Sequence, residues 1–246
     1  MTYVVKACAR RAFLQHIPRL FGVQFYGECW GDVDPSRYNI HGLASNCIHG
    51  VGEHWSNYVY SMIPCTTKKL NLAFVVDGSG SINNARFGRF REFVKKMAES
   101  FPVSATNTQV ATVVYSEEPE LIFNFGKYND INEIKTAVDN MPYHGKTTHT
   151  GKALKFTLEE VFKKARKNVK NVLIVLTDGH ASDLVKKPAQ AVRDYGVEVF
   201  AVGVGSPDIA ELEEIATDPD KDHVFSVDFD EVSNITGGLE NQICTD

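Results

Sequence analysis

The chain has 246 residues, of which 43% are hydrophobic and 11% aromatic, as is ordinary for a folded globular protein. Its formal net charge of −5 argues against nucleic acid as a partner. The sequence has no apolar run long enough to span a membrane, and its opening residues lack the apolar core of a secretory signal. The chain is therefore expected to be either cytosolic or secreted with a signal that lies outside this sequence.

The first part of the chain, residues 1–64, is predicted to form a small loop-rich module. The segment 26–60 is dense in Gly, Tyr, Trp and Cys and has no helical periodicity. Such a segment is typically held by a disulfide and by aromatic packing. Pro64 and the polar residues after it predict a boundary, so that residues 65–246 form a second domain. A zinc site is the alternative for the module, although the spacing matches no usual motif; it would use His41, His49 and His54.

The five cysteines contain no C-x-x-C pair, which argues against a redox dithiol or a zinc knuckle. A disulfide between Cys65 and Cys244 would join the two ends of the second domain, and by the chain-entropy model it would contribute about 5 kcal/mol. Cys29 and Cys47 would close a smaller loop, leaving Cys8 unpaired. This placement favours an oxidising compartment, and the alternative is five buried free thiols.

The strand predicted from Leu70 to Val76 is followed by the motif D-x-S-x-S. The strand is apolar except for Asn71, which is typical of a parallel strand buried on both faces. Asp77, Ser79 and Ser81 follow in a glycine-containing turn. Their oxygen atoms suit magnesium, calcium or manganese better than zinc. The alternative is that Asp77 and Ser79 only turn the chain and cap the next helix.

The rest of the chain alternates between predicted helices and strands, which predicts an α/β fold with a doubly wound, mostly parallel sheet. Pro119 begins a strand that the short preceding link makes antiparallel, at an edge of the sheet. Ligands of such sheets bind at the carboxyl ends of strands, where Asp77 and Asp178 both lie. The predicted strands are 109–115, 120–125, 171–177, 198–204 and 223–227, and the helices include one capped by Asn83 or Asn84 and others at 131–140, 208–217 and 229–242.

Three motifs in this order carry a family resemblance: D-x-S-x-S, the loop sequence GKTTHTGKAL from Gly145 to Leu154, and T-D-G at Thr177 to Gly179. From about Lys68 to Cys244 the chain resembles the von Willebrand factor type A (VWA) domain. The resemblance implies the family's metal-ion-dependent adhesion site (MIDAS), with Thr148 rather than Thr147 as its loop threonine because Thr148 begins T-x-T. The implied metal ligands are Asp77, Ser79, Ser81, Thr148 and Asp178.

This resemblance implies a function as well as a fold. Hydroxyl ligands leave the charge of a bound cation uncancelled, so Mg²⁺, or Mn²⁺ or Ca²⁺ in its place, would attract a Glu or Asp side chain of a partner. We therefore expect a secreted, extracellular adhesion or matrix protein, with protein partners such as collagen or other matrix proteins, and not an enzyme. The alternative is a structural unit of a matrix scaffold whose contacts lie away from the metal.

Enzymatic activity is the rival class, and three motifs bear on it. A phosphotransferase with a strand-end aspartate usually has a second acid where this chain has Ser79. A serine hydrolase needs G-x-S-x-G, which D-G-S-G-S does not supply. Gly203 and Gly205 follow a strand, but position 208 is not the third glycine of a dinucleotide site.

Other features surround the predicted site. His144, His149 and His180 are predicted to be solvated rim residues, with the alternative that their protonation near pH 6 weakens cation binding. Asn234 begins a glycosylation sequon, but its place in a predicted helix argues against glycosylation. A basic run is predicted to end a helix, with binding of a sulfated glycan as the alternative; it comprises Lys163, Lys164, Arg166, Lys167 and Lys170.

Overall fold

A computed structural model describes residues 69–245 together with the backbone of five short strands nearer the start of the chain. The predicted boundary between residues 64 and 65 lies outside these described residues and stays a prediction. The chain divides into two units, Met1–Thr66 with Gly237–Cys244, and Thr67–Thr236 with Thr245–Asp246.

The first unit contains a small sheet. Strand β1 pairs antiparallel with β2 and β5 and parallel with β4, which pairs antiparallel with β3. The predicted pairing of Cys29 with Cys47 and the alternative zinc site concern side chains outside the described part of the chain. Cys244 is disulfide-bonded, and its predicted partner Cys65 also lies outside that part. The strands are β1 (Leu20–Gln24), β2 (Glu28–Trp30), β3 (Cys47–Ile48), β4 (Val51–Gly52) and β5 (Tyr58–Ser61).

The second unit is built on a six-stranded sheet that confirms the predicted α/β fold. Its strand order is β11-β10-β9-β6-β7-β8, and every neighbouring pair is parallel except β7 and β8. The edge strand that begins at Pro119 is thus antiparallel, as predicted. The strands are β6 (Leu70–Asp77), β7 (Thr108–Tyr115), β8 (Pro119–Phe123), β9 (Lys170–Thr177), β10 (Val197–Val204) and β11 (Val224–Val227).

The described residues form seven helices, and α1 begins after Asn83, whose side chain accepts a hydrogen bond from the Arg86 amide at 2.9 Å. None of the helices that the structure describes has the length and apolar character needed to cross a bilayer. The helices are α1 (Asn84–Glu99), α2 (Ile131–Asp139), α3 (Thr150–Glu160), α4 (Lys186–Asp194), α5 (Ile209–Ile215), α6 (Asp220–His223) and α7 (Thr236–Thr245), with 3-10 turns at Phe162–Lys164 and Val232–Ile235.

Strand β6 lies in the middle of the sheet and is buried along its whole length. Because side chains alternate along a strand, Ala73 and Val75 point to one face, where they join a core with α3, α4 and α5. The intervening side chains are buried on the opposite face. The chain leaves β6 for β7 on one side and later returns to β9 on the other. The strand order therefore reverses at the carboxyl ends of β6 and β9.

The final helix was predicted to span 229–242, and the predicted start was wrong because the helix begins at Thr236. Phe229 lies before the 3-10 turn, and its ring stacks on Phe90 with centroids 5.9 Å apart. A turn forms instead, in which the Glu231 amide donates to the Asp228 carbonyl at 2.9 Å. Packing of this aromatic ring thus competes with continuation of the helix. Asn234 is exposed in the 3-10 turn rather than in an α-helix, and its glycosylation stays untested.

A buried ion pair joins the amino ends of β10 and β11. His223 Nε2 lies 3.2 Å from Glu198 Oε1, and its Nδ1 lies 3.1 Å from the Pro219 carbonyl oxygen. Burial by itself would lower the pKa of His223, but these two hydrogen bonds outweigh it and raise the pKa above its ordinary 6.5. The protonated histidine therefore stabilises the fold below pH 6.5, and this contribution is lost as pH rises through the raised pKa.

Replacing His223 with Gln is expected to lower the free energy of unfolding by about 1 kcal/mol more at pH 6 than at pH 8.5. Urea denaturation at the two pH values measures the difference. His144→Gln is a matched control, because His144 pairs with Glu120 at 3.0 Å in a more exposed place. An equal loss at both pH values would contradict this role of the protonated imidazole.

Candidate metal site

Three loops meet at the carboxyl ends of β6 and β9, and backbone hydrogen bonds hold them together. In the turn after β6, the Gly80 amide donates to the Lys146 carbonyl at 2.7 Å, and the Gly78 carbonyl accepts from the Gly145 amide at 2.8 Å. The loop before α3 is tied in turn to the loop after β9, because the Ser182 amide donates to the Thr148 carbonyl at 2.6 Å. The three predicted motifs therefore converge at one place.

Four of the five predicted ligands form a continuous series of contacts. The Ser79 amide donates to Asp77 Oδ1 at 2.8 Å, and the Ser79 and Ser81 hydroxyl oxygens lie 3.0 Å apart. The Ser81 hydroxyl then donates to Asp178 Oδ1 at 2.7 Å. Side-chain oxygens from two strand ends thus gather around one position, with a donor set of the kind that hard divalent cations prefer. Their assignment as metal ligands stays a prediction at this point.

The fifth predicted ligand, Thr148, is distinguished from its neighbour by burial. Thr148 is 8% exposed and lies inside the junction of the loops, whereas Thr147 is exposed. The backbone contact to Ser182 described above fixes the position of Thr148 between the two other loops. Burial therefore supports the choice of Thr148 over Thr147.

Burial raises the pKa values of both carboxylates at this junction. Asp77 is fully buried, and burial raises its pKa to about 6, although hydrogen bonds from Ser79 and Thr177 act in the opposite direction. Burial likewise raises the pKa of Asp178. The two hydrogen bonds to the Asp77 carboxylate come from neutral groups, the Ser79 amide and the Thr177 hydroxyl. A cation beside these carboxylates would favour their ionised forms.

Three further residues position the site, and the sequence reasoning assigned them no role. The Thr177 hydroxyl donates to Asp77 Oδ2 at 2.8 Å, across a separation of a hundred residues. Both carboxylate oxygens of Asp183 accept from the first turn of α3, and the Tyr115 hydroxyl lies 3.0 Å from Thr150 Oγ1. Of these three residues, only Thr177 could have been identified from the sequence, because it is the first residue of the T-D-G motif.

The histidines near the site each have a protein partner. His149 Nδ1 lies 2.9 Å from the Glu117 carbonyl oxygen, and His180 Nδ1 lies 2.9 Å from Asp208 Oδ2. His180 is 72% exposed, as expected for a rim residue. Nothing in these contacts tests an effect of histidine protonation on cation binding.

Several residues of the predicted basic run form ion pairs or hydrogen bonds with other groups of the protein. Lys163, in the 3-10 turn after α3, pairs with Glu159 near the end of that helix at 2.7 Å, and Lys164 pairs with Glu160 in the same way. Arg166 donates to the Leu70 carbonyl at 2.8 Å and to other backbone carbonyls at the amino ends of β6 and β7. Binding of a sulfated glycan to this run stays a prediction.

Replacing Thr148 with Ala is expected to weaken Mg²⁺ binding about tenfold, because one hydroxyl ligand is lost from a buried position. Thr147→Ala is the matched control and should leave Mg²⁺ affinity unchanged, since Thr147 points to solvent. The Mg²⁺ concentration that gives half of the thermal stabilisation measures both affinities. Equal affinities of the two variants would show that Thr148 is not a ligand.

Comparison with known proteins identifies the family of this chain. The family model of the von Willebrand factor type A domain matches residues 71–237. Vitrin of Mus musculus is 38% identical over 188 residues, which cover 75% of this chain and 29% of vitrin. Matrilin-1 of Gallus gallus is 38% identical over 181 residues, and the collagen alpha-1(XII) chain of Notophthalmus viridescens is 35% identical over 189 residues. These matches cover 72% and 75% of this chain, and 37% and 20% of the two relatives.

A similar share of the chain matches solved structures. Proximal thread matrix protein 1 from the mussel byssus, in a structure with a zinc-occupied MIDAS motif, superposes with a TM-score of 0.68 at 29% identity. The match covers 74% of this chain and 47% of that one. The family model spans well over half of the chain. The chain belongs to the von Willebrand factor type A domain family.

Proposed function

We propose that this protein binds an acidic side chain of a partner protein through a divalent cation held by Asp77, Ser79, Ser81, Thr148 and Asp178. The observation that carries the proposal is the junction of three loops at the switch point of the sheet. There, two carboxylates with raised pKa values lie beside neutral hydroxyl groups. An all-oxygen donor set of this kind fits Mg²⁺, and it also suits Mn²⁺ or Ca²⁺.

Each group has a distinct part in this function. Asp77 and Asp178 supply the negative charge, directly or through water, and the three hydroxyls add ligands without adding charge. A bound cation supplies a Lewis-acidic position at which a partner carboxylate can bind. The Thr177 hydroxyl fixes the orientation of the Asp77 carboxylate, whose remaining lone pairs would be available to a cation. Ser81 joins the two strand ends through its hydrogen bond to Asp178.

We further propose that the protein works outside the cell, in the extracellular matrix. The matched relatives include a collagen chain and a thread matrix protein, and this supports a matrix or adhesion role. The chain spans only 29% of vitrin and 20% of the collagen chain, so the activity of those whole proteins does not transfer directly. Collagen and other matrix proteins are the proposed partners.

The second candidate function is that of a structural unit in a matrix scaffold. The matrix proteins among the relatives favour it, and it does not require the metal for contacts with partners. In that case the contacts with neighbouring proteins lie away from the site, and the cation only stabilises the loops. The two candidates differ in one respect, which is whether binding of a partner requires the cation.

A pair of peptide libraries tests the proposal on the full chain. One library has Glu or Asp at a fixed central position, and the other has Gln or Asn there, with all other positions matched. Binding in millimolar Mg²⁺ is expected for the acidic library alone, and EDTA should abolish it. Equal binding to both libraries, or binding that survives EDTA, would refute the carboxylate receptor and favour the scaffold.

The site is also proposed to be non-catalytic. A strand-end aspartate that accepts a phosphoryl group would need to be accessible, whereas Asp77 is fully buried. Hydrolysis of p-nitrophenyl phosphate is the direct test. Turnover that disappears in Asp77→Asn would overturn this part of the proposal.

A further inference from the structure

A second group of ligating side chains lies beside the loop after β9, outside the five residues described above. It consists of His180 in that loop and of Asp208 and Glu211 at the start of α5. One ligand atom from each residue lies within 4.8 Å of the other two. His180 Nδ1 is 2.9 Å from Asp208 Oδ2. The three residues come from two separate segments of the chain, which the topology of the sheet brings together.

Hydrogen bonds to the backbone hold both carboxylates in place. Asp208 Oδ1 accepts from the Ala210 amide at 3.0 Å, which leaves Oδ2 directed toward His180. The Glu211 carboxylate accepts from the Ala181 amide at 2.9 Å, so it is anchored to the residue that follows His180. The loop and the helix are therefore joined by the same two acids that would bind an ion. Little rearrangement would be needed for binding.

The donor chemistry of this group differs from that of the first site. One imidazole nitrogen with two carboxylates suits borderline cations such as Zn²⁺, whereas Mg²⁺ prefers oxygen ligands alone. Three protein ligands also leave a coordination position for water. His180 is 72% exposed, so an ion has direct access from solvent.

We propose that His180, Asp208 and Glu211 form a second cation site that binds Zn²⁺, separate from the site at Asp77. Both carboxylates are only partly exposed, and two acids with a single histidine leave the group with a net negative charge. A zinc ion would remove this imbalance and fasten the loop after β9 to α5.

Zinc titration of the full chain by isothermal calorimetry tests this site. The Asp77→Ala background removes the first site, and a further His180→Ala substitution is expected to weaken zinc binding at least about tenfold or to remove one zinc equivalent. His144→Ala is the matched control, because His144 also faces a carboxylate, that of Glu120, at 3.0 Å. Histidines near the start of the chain are present in every variant and cancel in the comparison.

A second pair of variants keeps the test independent of the folding of Asp77→Ala. In the otherwise wild-type chain, His180→Ala is expected to bind one zinc ion fewer while its thermal stabilisation by Mg²⁺ is unchanged. Co²⁺ substitution adds a spectroscopic measurement, since loss of an imidazole ligand alters the visible absorption of the bound ion. The site is refuted if His180→Ala and His144→Ala bind zinc with equal stoichiometry and affinity.

Discussion

Replacing Asp77 with Ala is expected to abolish the thermal stabilisation of this protein by Mg²⁺. A cation present at a hundred times its dissociation constant stabilises the folded state by about 2.7 kcal/mol, which for a domain of this size raises Tm by roughly 5–10 °C. Removal of the buried carboxylate takes away the charge that holds the ion and the acceptor of two hydrogen bonds. Differential scanning calorimetry in Mg²⁺ and in EDTA measures the shift.

The buried Asp77 carboxylate also determines how the stability of the metal-free protein depends on pH. Burial raises the pKa of Asp77 from 3.8 to about 6, so its contribution to stability is present below pH 3.8 and is lost as pH rises through 6. Ionised Asp77 therefore costs roughly 3 kcal/mol at neutral pH in EDTA. Asp77→Asn is expected to be more stable than the wild type in EDTA at pH 7.5, and less stable than the wild type in Mg²⁺.

A control variant and a clear negative result test this prediction. Asp228→Asn removes an exposed carboxylate and should leave both the cation response and the pH response as in the wild type. The decisive negative result is a wild-type Tm that does not respond to Mg²⁺ or Mn²⁺, or a cation response that persists in Asp77→Ala. Either outcome would mean that these oxygens do not hold a cation.

Replacing Gly151 with Ala is expected to cost about 3 kcal/mol of stability and to weaken the response to Mg²⁺. A Cβ atom on Gly151 would lie 2.2 Å from the Leu184 carbonyl oxygen, which is backbone and cannot rotate away. The segment after β9 would have to move, and with it the Asp183 carboxylate that accepts from the Gly151 amide at 2.9 Å. Urea denaturation measures the loss, and the Mg²⁺ dependence of Tm measures the effect on the site.

Gly88→Ala provides the matched control in α1. A Cβ atom there would meet no atom within 4 Å, and alanine favours the helix over glycine by up to about 1 kcal/mol. The two substitutions are chemically identical but are expected to change stability in opposite directions. A Gly151→Ala variant as stable as Gly88→Ala would show that the close approach of α3 to this loop is not required.

Much of the fold follows from local patterns in the sequence. The apolar runs of β6 and β9 predicted buried parallel strands, because only a strand covered on both faces can bury side chains at every position. Pro119 predicted the edge strand, since proline lacks the amide that an inner strand needs. The turn after Asp77 was also predictable, because its predicted ligands Asp77, Ser79 and Ser81 lie within five residues of one another. The start of the final helix was not, because the packing of Phe229 on Phe90 is a contact between distant residues.

The sequence by itself determined which residue types stand at the strand ends, and therefore the kind of cation that they suit. The tertiary structure alone decided which of these groups meet. The Thr177 hydroxyl reaches Asp77 only because β6 and β9 are neighbours, and His180 meets Asp208 only because β9 and β10 are. Neither contact leaves a periodic pattern in the sequence, because each contact depends on the order of strands in the sheet rather than on the spacing of residues along the chain.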